Sequence, residues 1–180
     1  QLFAGAEWSV RRLEVPFLAF SGQKDFSWRE KAGRAYLYRT FALSEQSRWD
    51  VTLSAAAEYE ELMRPQILTG SEAIIDLETT RVPFGAAFFN ANGVTFRVTM
   101  GYVRQEGLFS ADVGFPIVPI EDDEWITDVS LEFRLPKRFG LLSLVARNVF
   151  DEELNVADTD PLSPRDARRR WVLASLNVDF

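Results

Sequence analysis

Apolar and polar residues alternate along most of the chain, and the period is two rather than 3.6. Runs with this period that are rich in aromatic and β-branched residues predict strands. Eight are expected: Leu2 to about Val15, Trp28 to Ala42, Trp49 to Glu60, Val82 to Phe89, Val94 to Gln105, Glu124 to Leu135, Leu141 to Phe150 and Arg169 to Phe180. No segment carries a helical pattern. The expected domain is a single one over residues 1–180.

The connections alternate in length. Residues 16–27, 61–73, 106–123 and 151–168 read as long, whereas 43–48, the turn "NANG" (90–93) and "PKRFG" (136–140) read as short. Transmembrane barrels segregate loops in this way, with short turns at one end and long loops at the other. Six prolines fall in the long connections and Pro136 in a short one. Pro83 falls inside strand four, where it lacks the ladder N–H. A bulge there, or a spanning segment that begins only near Val82, is the expectation.

Alternation separates two faces but does not say which is inside. One set comprises Asp50, Thr52, Ser54 and Glu58; Thr95, Arg97, Thr99 and Gln105; and Asp128, Ser130, Glu132 and Arg134. The opposite set is apolar: Trp49 to Tyr59, Val94 to Tyr102 and Trp125 to Phe133 at every second position, with aromatics near the ends. Aromatic girdles at two membrane interfaces produce that placement. A lipocalin-like barrel would instead turn the apolar set inward. In strand two, Arg29, Lys31, Gly33, Ala35, Leu37, Arg39 and Phe41 are assigned to the apolar side, with cations near the ends where they can snorkel. The alternative would place Arg34 near a bilayer centre, at about 2–4 kcal/mol.

Composition narrows the chemistry. Of the 180 residues 47% are hydrophobic and 26% charged, and the formal charge is −7. An acidic chain without a basic face argues against a general nucleic-acid binder. There is no cysteine and no histidine. Disulfides, thiolate metal sites and the commonest general base are therefore missing. No run reaches the roughly 18 apolar residues of a transmembrane helix. The chain begins at Gln1 without Met, so a removed signal or a longer parent chain is expected.

The last two predicted strands carry a further signal. "LLSLVARNVFDEEL" (141–154) and "RRWVLASLNVDF" (169–180) resemble the C-terminal end of TonB-dependent receptors and related Gram-negative outer-membrane barrels. The residues that carry it are Arg147, Asn148, Val149, Phe150, Asp151 and Glu152, then Val172, Ala174, Leu176, Val178 and Phe180. The resemblance implies that the second set is a barrel-assembly signal, read by the bacterial barrel-assembly machinery, and that the final strand seals the barrel. "RAYLY" (34–38), "RVPFGAAFFNANGVTF" (81–96), "GYVRQEG" (101–107) and "RLPKRFGLLSL" (134–144) resemble barrels that follow tetratricopeptide repeats. Neither pattern contains a catalytic residue.

The expected fold is therefore an all-β, antiparallel up-and-down transmembrane β-barrel of about eight strands. It is either complete or the C-terminal part of a larger barrel, in the bacterial outer membrane. With Phe180 on the periplasmic side, the long connections lie outside and the short turns inside. Asp50, Glu58, Arg97, Asp128, Glu132 and Arg147 are the expected lumen-facing polar residues, with Glu7 and Arg34 able to join them in ion pairs. Arg165, Arg168, Arg169 and Arg170, beside Trp171, are candidate lipopolysaccharide contacts, because guanidinium groups suit phosphate. They could equally pair with the acidic residues before them. The acidic stretches 121–124 and 151–160 match no calcium loop.

The expected function is a pore or transporter wall for an unidentified solute or polymer. The alternatives are a small closed, non-conducting barrel serving as anchor, adhesion or assembly subunit, and a soluble barrel with an apolar ligand inside. Partners would be membrane lipid, lipopolysaccharide, the assembly machinery, and other subunits or upstream domains. No enzymatic activity, metal or other cofactor is expected.

Overall fold

The computed structural model describes residues 1–19, 22–43, 48–63, 73–110, 117–136, 139–153 and 169–178. They form one antiparallel sheet of eight strands, each hydrogen-bonded to its sequence neighbours. The strands are β1 (Leu2–Ala19), β2 (Gly22–Ala42), β3 (Trp49–Met63), β4 (Ala73–Asn90), β5 (Val94–Ser110), β6 (Ile117–Arg134), β7 (Gly140–Arg147) and β8 (Trp171–Val178). This is the all-β, up-and-down arrangement that period two dictates. Among the described residues no ladder joins β1 to β8, which is compatible with part of a barrel.

The strands outrun their predicted ends. Residues 16–19 pair with 22–25, and Ile117 to Asp123 pair with Ser110 to Arg104. Most of the connections expected at 16–27 and 106–123 is thus hairpin strand, including the positions of Pro16 and Pro119. A strand lengthens for as long as a partner is in register, and single-strand composition does not report that. At these two connections strand overhang takes the place of loop. At the short end, Asn92 N–H donates to Asn90 Oδ1 (2.8 Å) and Gly93 N–H to Asn90 O (2.9 Å), closing the turn between β4 and β5.

Pro83 does not carry the expected bulge. Its pairing with Gly101 on β5 is regular, whereas the ladder to β3 skips from Ala55–Phe84 to Glu58–Arg81 without changing register. The missing N–H faces β3, so two rungs are lost there. The bulge lies instead between Ile74 and Asp76. Strand seven ends at Arg147, and residues 148–150 turn away rather than continuing to Phe150.

Register sorts the side chains into the two anticipated sets. On one face lie Glu7, Arg34, Glu58, Thr79, Arg81, Arg97, Gln105, Asp128, Ser130, Glu132, Ser143 and Arg147. On the other lie Trp8, Leu37, Leu53, Phe84, Phe96, Met100, Leu131, Leu144 and Leu176. Burial is the reverse of a water-soluble barrel. Thr79 and Gln105 on the polar face are each 1% exposed, whereas Phe84 is 44%, Leu131 43% and Leu176 59% exposed on the apolar face. A single-layer sheet buries side chains on its concave side. Leu62, Leu77, Thr79, Arg81, Val103, Gln105 and Ile126 on the polar face are all buried, as where a sheet curls toward that face, and among the described side chains Val51 and Glu61 are the buried ones of the other face.

Candidate functional site

The polar face is organised as cross-strand rows. Glu7, Arg34, Glu58 and Arg81 stand directly opposite one another on β1 to β4, alternating in sign. Alternation makes each opposite pair attractive, where like charges would repel. Arg34 Nε lies 3.1 Å from Glu58 Oε1. Arg81 Nη1 reaches Glu60 Oε2 at 3.5 Å. A cavity of about 490 Å³ opens beside this row, lined by Glu7, Ser9, Arg34, Glu58, Glu60 and Arg81 among others. Below the buried Arg81, the Gln105 amide donates to Thr79 Oγ1 at 3.0 Å. That bond satisfies two buried polar groups that would otherwise be costly.

A second grouping lies where β6 meets β7. Arg147 Nε is 3.9 Å from Asp128 Oδ2, and the Arg147 guanidinium sits 5.6 Å from the Trp171 ring centroid. The other Asp128 oxygen accepts the Asn148 N–H at 2.9 Å. Asn148 is fully buried, with φ +48°. Its amide donates to Glu152 O (2.8 Å) and accepts from Glu152 N–H (3.0 Å). Asp151, at φ +62°, accepts the Arg170 N–H at 2.8 Å. Asn and Asp tolerate this left-handed backbone best among non-glycine residues. The stretch Asn148 to Glu152 is thus a turn locked by its own side chains and tied to the start of β8.

The expected polar residues fall as follows. Asp50, Glu58, Arg97, Asp128, Glu132 and Arg147 share one face. Glu58 meets Arg34, and Asp128 meets Arg147. Asp50, Arg97 and Glu132 share the face, but no ion pair joins them among the described residues; Arg97 stands between Ala87 and Ser130, and Glu132 between Thr95 and Ser143.

Of the arginines near the C-terminal end, Arg165 and Arg168 lie outside the described residues. Arg169 meets Glu153 at 3.3 Å, and the Arg170 backbone is held by Asp151. Val172, Ala174, Leu176 and Val178 line one face of β8, exposed. Phe180 lies outside the described residues.

The acidic stretch 121–124 is strand, not loop. Glu121 accepts from Arg104 Nη2 (3.2 Å), and Asp123 accepts the Tyr102 hydroxyl (3.1 Å). Residues 154–160 of the other acidic stretch lie outside the described residues. Among the described residues no acidic cluster is arranged to hold a metal ion.

Sequence reasoning missed two features of the polar face. Arg81 precedes the predicted start of strand four. Phe3, Tyr36 and Tyr38 form an exposed aromatic group, with Phe3 and Tyr38 stacked at 4.9 Å and Tyr36 and Tyr38 at 6.4 Å. Their parity with Arg34 in "RAYLY" was the available signal. Tyr36 and Tyr38 border a second cavity of about 500 Å³ together with Glu7, Arg34, Ser54 and Thr99.

The apolar face is bounded by aromatics. Trp8 stacks on Tyr59 at 6.2 Å, and Tyr102 packs on Trp125 at 5.4 Å, toward the overhanging end. Phe88 and Phe96, at 6.1 Å, lie toward the short turns. Beyond the first border the same face becomes charged: Lys31 and Glu61 on β2 and β3, Glu78 on β4, Arg104 and Glu106 on β5, Glu121 on β6. Lys31 Nζ bonds both Glu61 oxygens (2.7 and 2.6 Å), and the Tyr59 hydroxyl donates to Glu61 Oε2 (3.1 Å).

In comparisons with known proteins, no family model, no curated protein and no solved structure matches this chain.

Proposed function

We propose that this chain is an outer-membrane β-barrel, or the C-terminal part of a larger one, and that it forms the wall of a pore or transporter. The observation that carries this reading is the inversion of the two faces. One sheet face exposes an apolar surface between two aromatic borders, interrupted at Arg39, while the other charges between those borders lie on the opposite face. In water an apolar surface of that extent is unfavourable; against acyl chains it is the stable arrangement.

The dimensions agree. Val94 to Tyr102 spans roughly 27 Å along β5 at about 3.4 Å per residue. With a strand tilt of about 40° this rises roughly 20 Å, near the height of an outer-membrane apolar band. The likeness of residues 141–154 and 169–180 to TonB-dependent receptors supports the same reading. The polar face would then line the passage, its charges selecting among solutes.

A second reading is favoured by the ion pairs. Arg34–Glu58, Arg81–Glu60 and Arg147–Asp128 are neutralised within the wall. A closed barrel filled by such pairs would conduct nothing and would serve as an anchor or assembly subunit.

The test is reconstitution of the full-length protein. A membrane barrel extracts only with detergent, migrates differently on gels before and after boiling, and inserts into lipid vesicles. Discrete conductance steps in planar bilayers identify a pore, and insertion without conductance identifies the anchor. A protein that stays folded and monomeric in detergent-free buffer overturns both.

A further inference from the structure

Beyond Trp8 and Tyr59 two sets of like charges face one another: the carboxylates of Glu61, Glu78, Glu106 and Glu121, which have Lys31 and Arg104 beside them, and a pair of arginines. Arg12 on β1 stands directly opposite Arg29 on β2, on the apolar-face side of the sheet, two residues along β1 from the row of Val10 and Lys31. Directly opposed like charges destabilise a ladder. Among the described residues no ion pair is made by either arginine, and Arg29 Nε is buried with no hydrogen-bond partner. The carboxylate of Glu61 is bonded by Lys31 and Tyr59, and it attracts Arg29 without bonding it. Glu14, the next residue on the same side of β1, faces Ser27. A buried guanidinium donor left unsatisfied is costly, and an anion seated between the two arginines would satisfy both.

We propose that Arg12 and Arg29 bind a phosphate of a lipopolysaccharide headgroup. Two planar guanidinium groups present parallel donors that match a tetrahedral oxyanion. Their height fits: they lie two rows, about 14 Å along the strands, beyond the Trp8–Tyr59 border, at headgroup level in the membrane reading. They also lie toward the overhanging β1–β2 hairpin, away from the short turns that the membrane reading puts in the periplasm. The site differs from the arginines near residue 169, of which Arg169 already has Glu153.

The inference rests on the membrane reading, and the experiment separates the two. The full-length protein in detergent micelles is titrated with lipid A carrying both phosphates, with the same lipid dephosphorylated, and with inorganic phosphate. Wild type should bind the phosphorylated lipid at least about tenfold more tightly than the dephosphorylated one, the scale of a lost charge-assisted bond. The Arg12→Gln/Arg29→Gln protein should lose that preference, the Arg12→Lys/Arg29→Lys protein should keep much of it, and Arg48→Gln, at the short-turn end of the sheet, should leave it unchanged.

Equal binding of the two lipids by wild type overturns the proposal, as does an undiminished preference in the double Gln variant. Binding of inorganic phosphate as tight as that of the lipid also overturns it, since the site would then serve a soluble anion. A protein that needs no detergent overturns the membrane reading and this inference together. A detergent-dependent protein indifferent to lipid phosphate overturns the inference alone.

Discussion

The indole of Trp8 on β1 crosses β2 and stacks on the phenol of Tyr59 on β3, with ring planes 9° apart. The crossing is possible because the residue between them is Gly33, which pairs with both. A Cβ at Gly33 would lie 2.4 Å from the Trp8 ring. An aromatic laid over a strand glycine covers backbone that would otherwise be open and pins the register of three strands at once.

Gly33→Ala should therefore displace Trp8 and lose the stack. The expected cost is about 1 kcal/mol, the worth of an aromatic pair beyond its area. Near-ultraviolet circular dichroism should lose part of its tryptophan signal, and the urea midpoint of the reconstituted protein should fall. An unchanged spectrum in Gly33→Ala would show that the stack does not hold in solution.

Gly140 opens β7 at φ +149°, and a Cβ there would meet Asn177 O at 1.9 Å on the neighbouring β8. The clash is with backbone, so a side-chain rotation cannot relieve it. Gly140→Ala should separate the ends of β7 and β8, at about 3 kcal/mol for a strained backbone site. The folded fraction after refolding into lipid, read from heat-modified migration, should drop well below wild type.

Asn148 is buried and bonds Glu152 twice through its side chain. Asn148→Ala removes both bonds and keeps the left-handed backbone, which alanine disfavours. The expected loss is about 2 kcal/mol. Asn148→Gly relieves only the backbone part and should fall between wild type and alanine in denaturant midpoint. If glycine is as poor as alanine, the side-chain bonds alone hold the turn.

Arg34 sits between Glu7 and Glu58. Arg34→Glu places three carboxylates side by side, and Glu58→Arg in the same protein restores attraction between positions 34 and 58 while leaving like charges at 7/34 and 58/81. Because Arg34 is about half exposed, each step should move stability by only about 0.5–1 kcal/mol. A double-mutant cycle should nevertheless show the double variant losing less than the sum of the two single variants. Additive losses would mean that the two side chains do not interact.

Much of the arrangement was legible beforehand. Asp50, Glu58, Arg97, Asp128, Glu132 and Arg147 share one face in the sequence pattern and in the sheet, because side chains alternate with period two whatever the partner strand. Arg29 and Lys31 of strand two fall on the apolar side in both.

The overhanging hairpins were not legible. Residues 16–19 and 117–123 look like loop by composition, and only pairing with a second strand makes them strand. The aromatic group Phe3, Tyr36 and Tyr38 hid within an apolar-rich run.

By itself the sequence determined eight extended segments, their order and which side chains share a face, since alternation is a property of one strand. Tertiary structure alone decided which residues stand opposite one another. The row Glu7–Arg34–Glu58–Arg81, the opposed Arg12 and Arg29, and the turn built on Asn148 depend on register between strands distant in sequence. That register is fixed by hydrogen-bonded ladders and packing across strands rather than by any local preference.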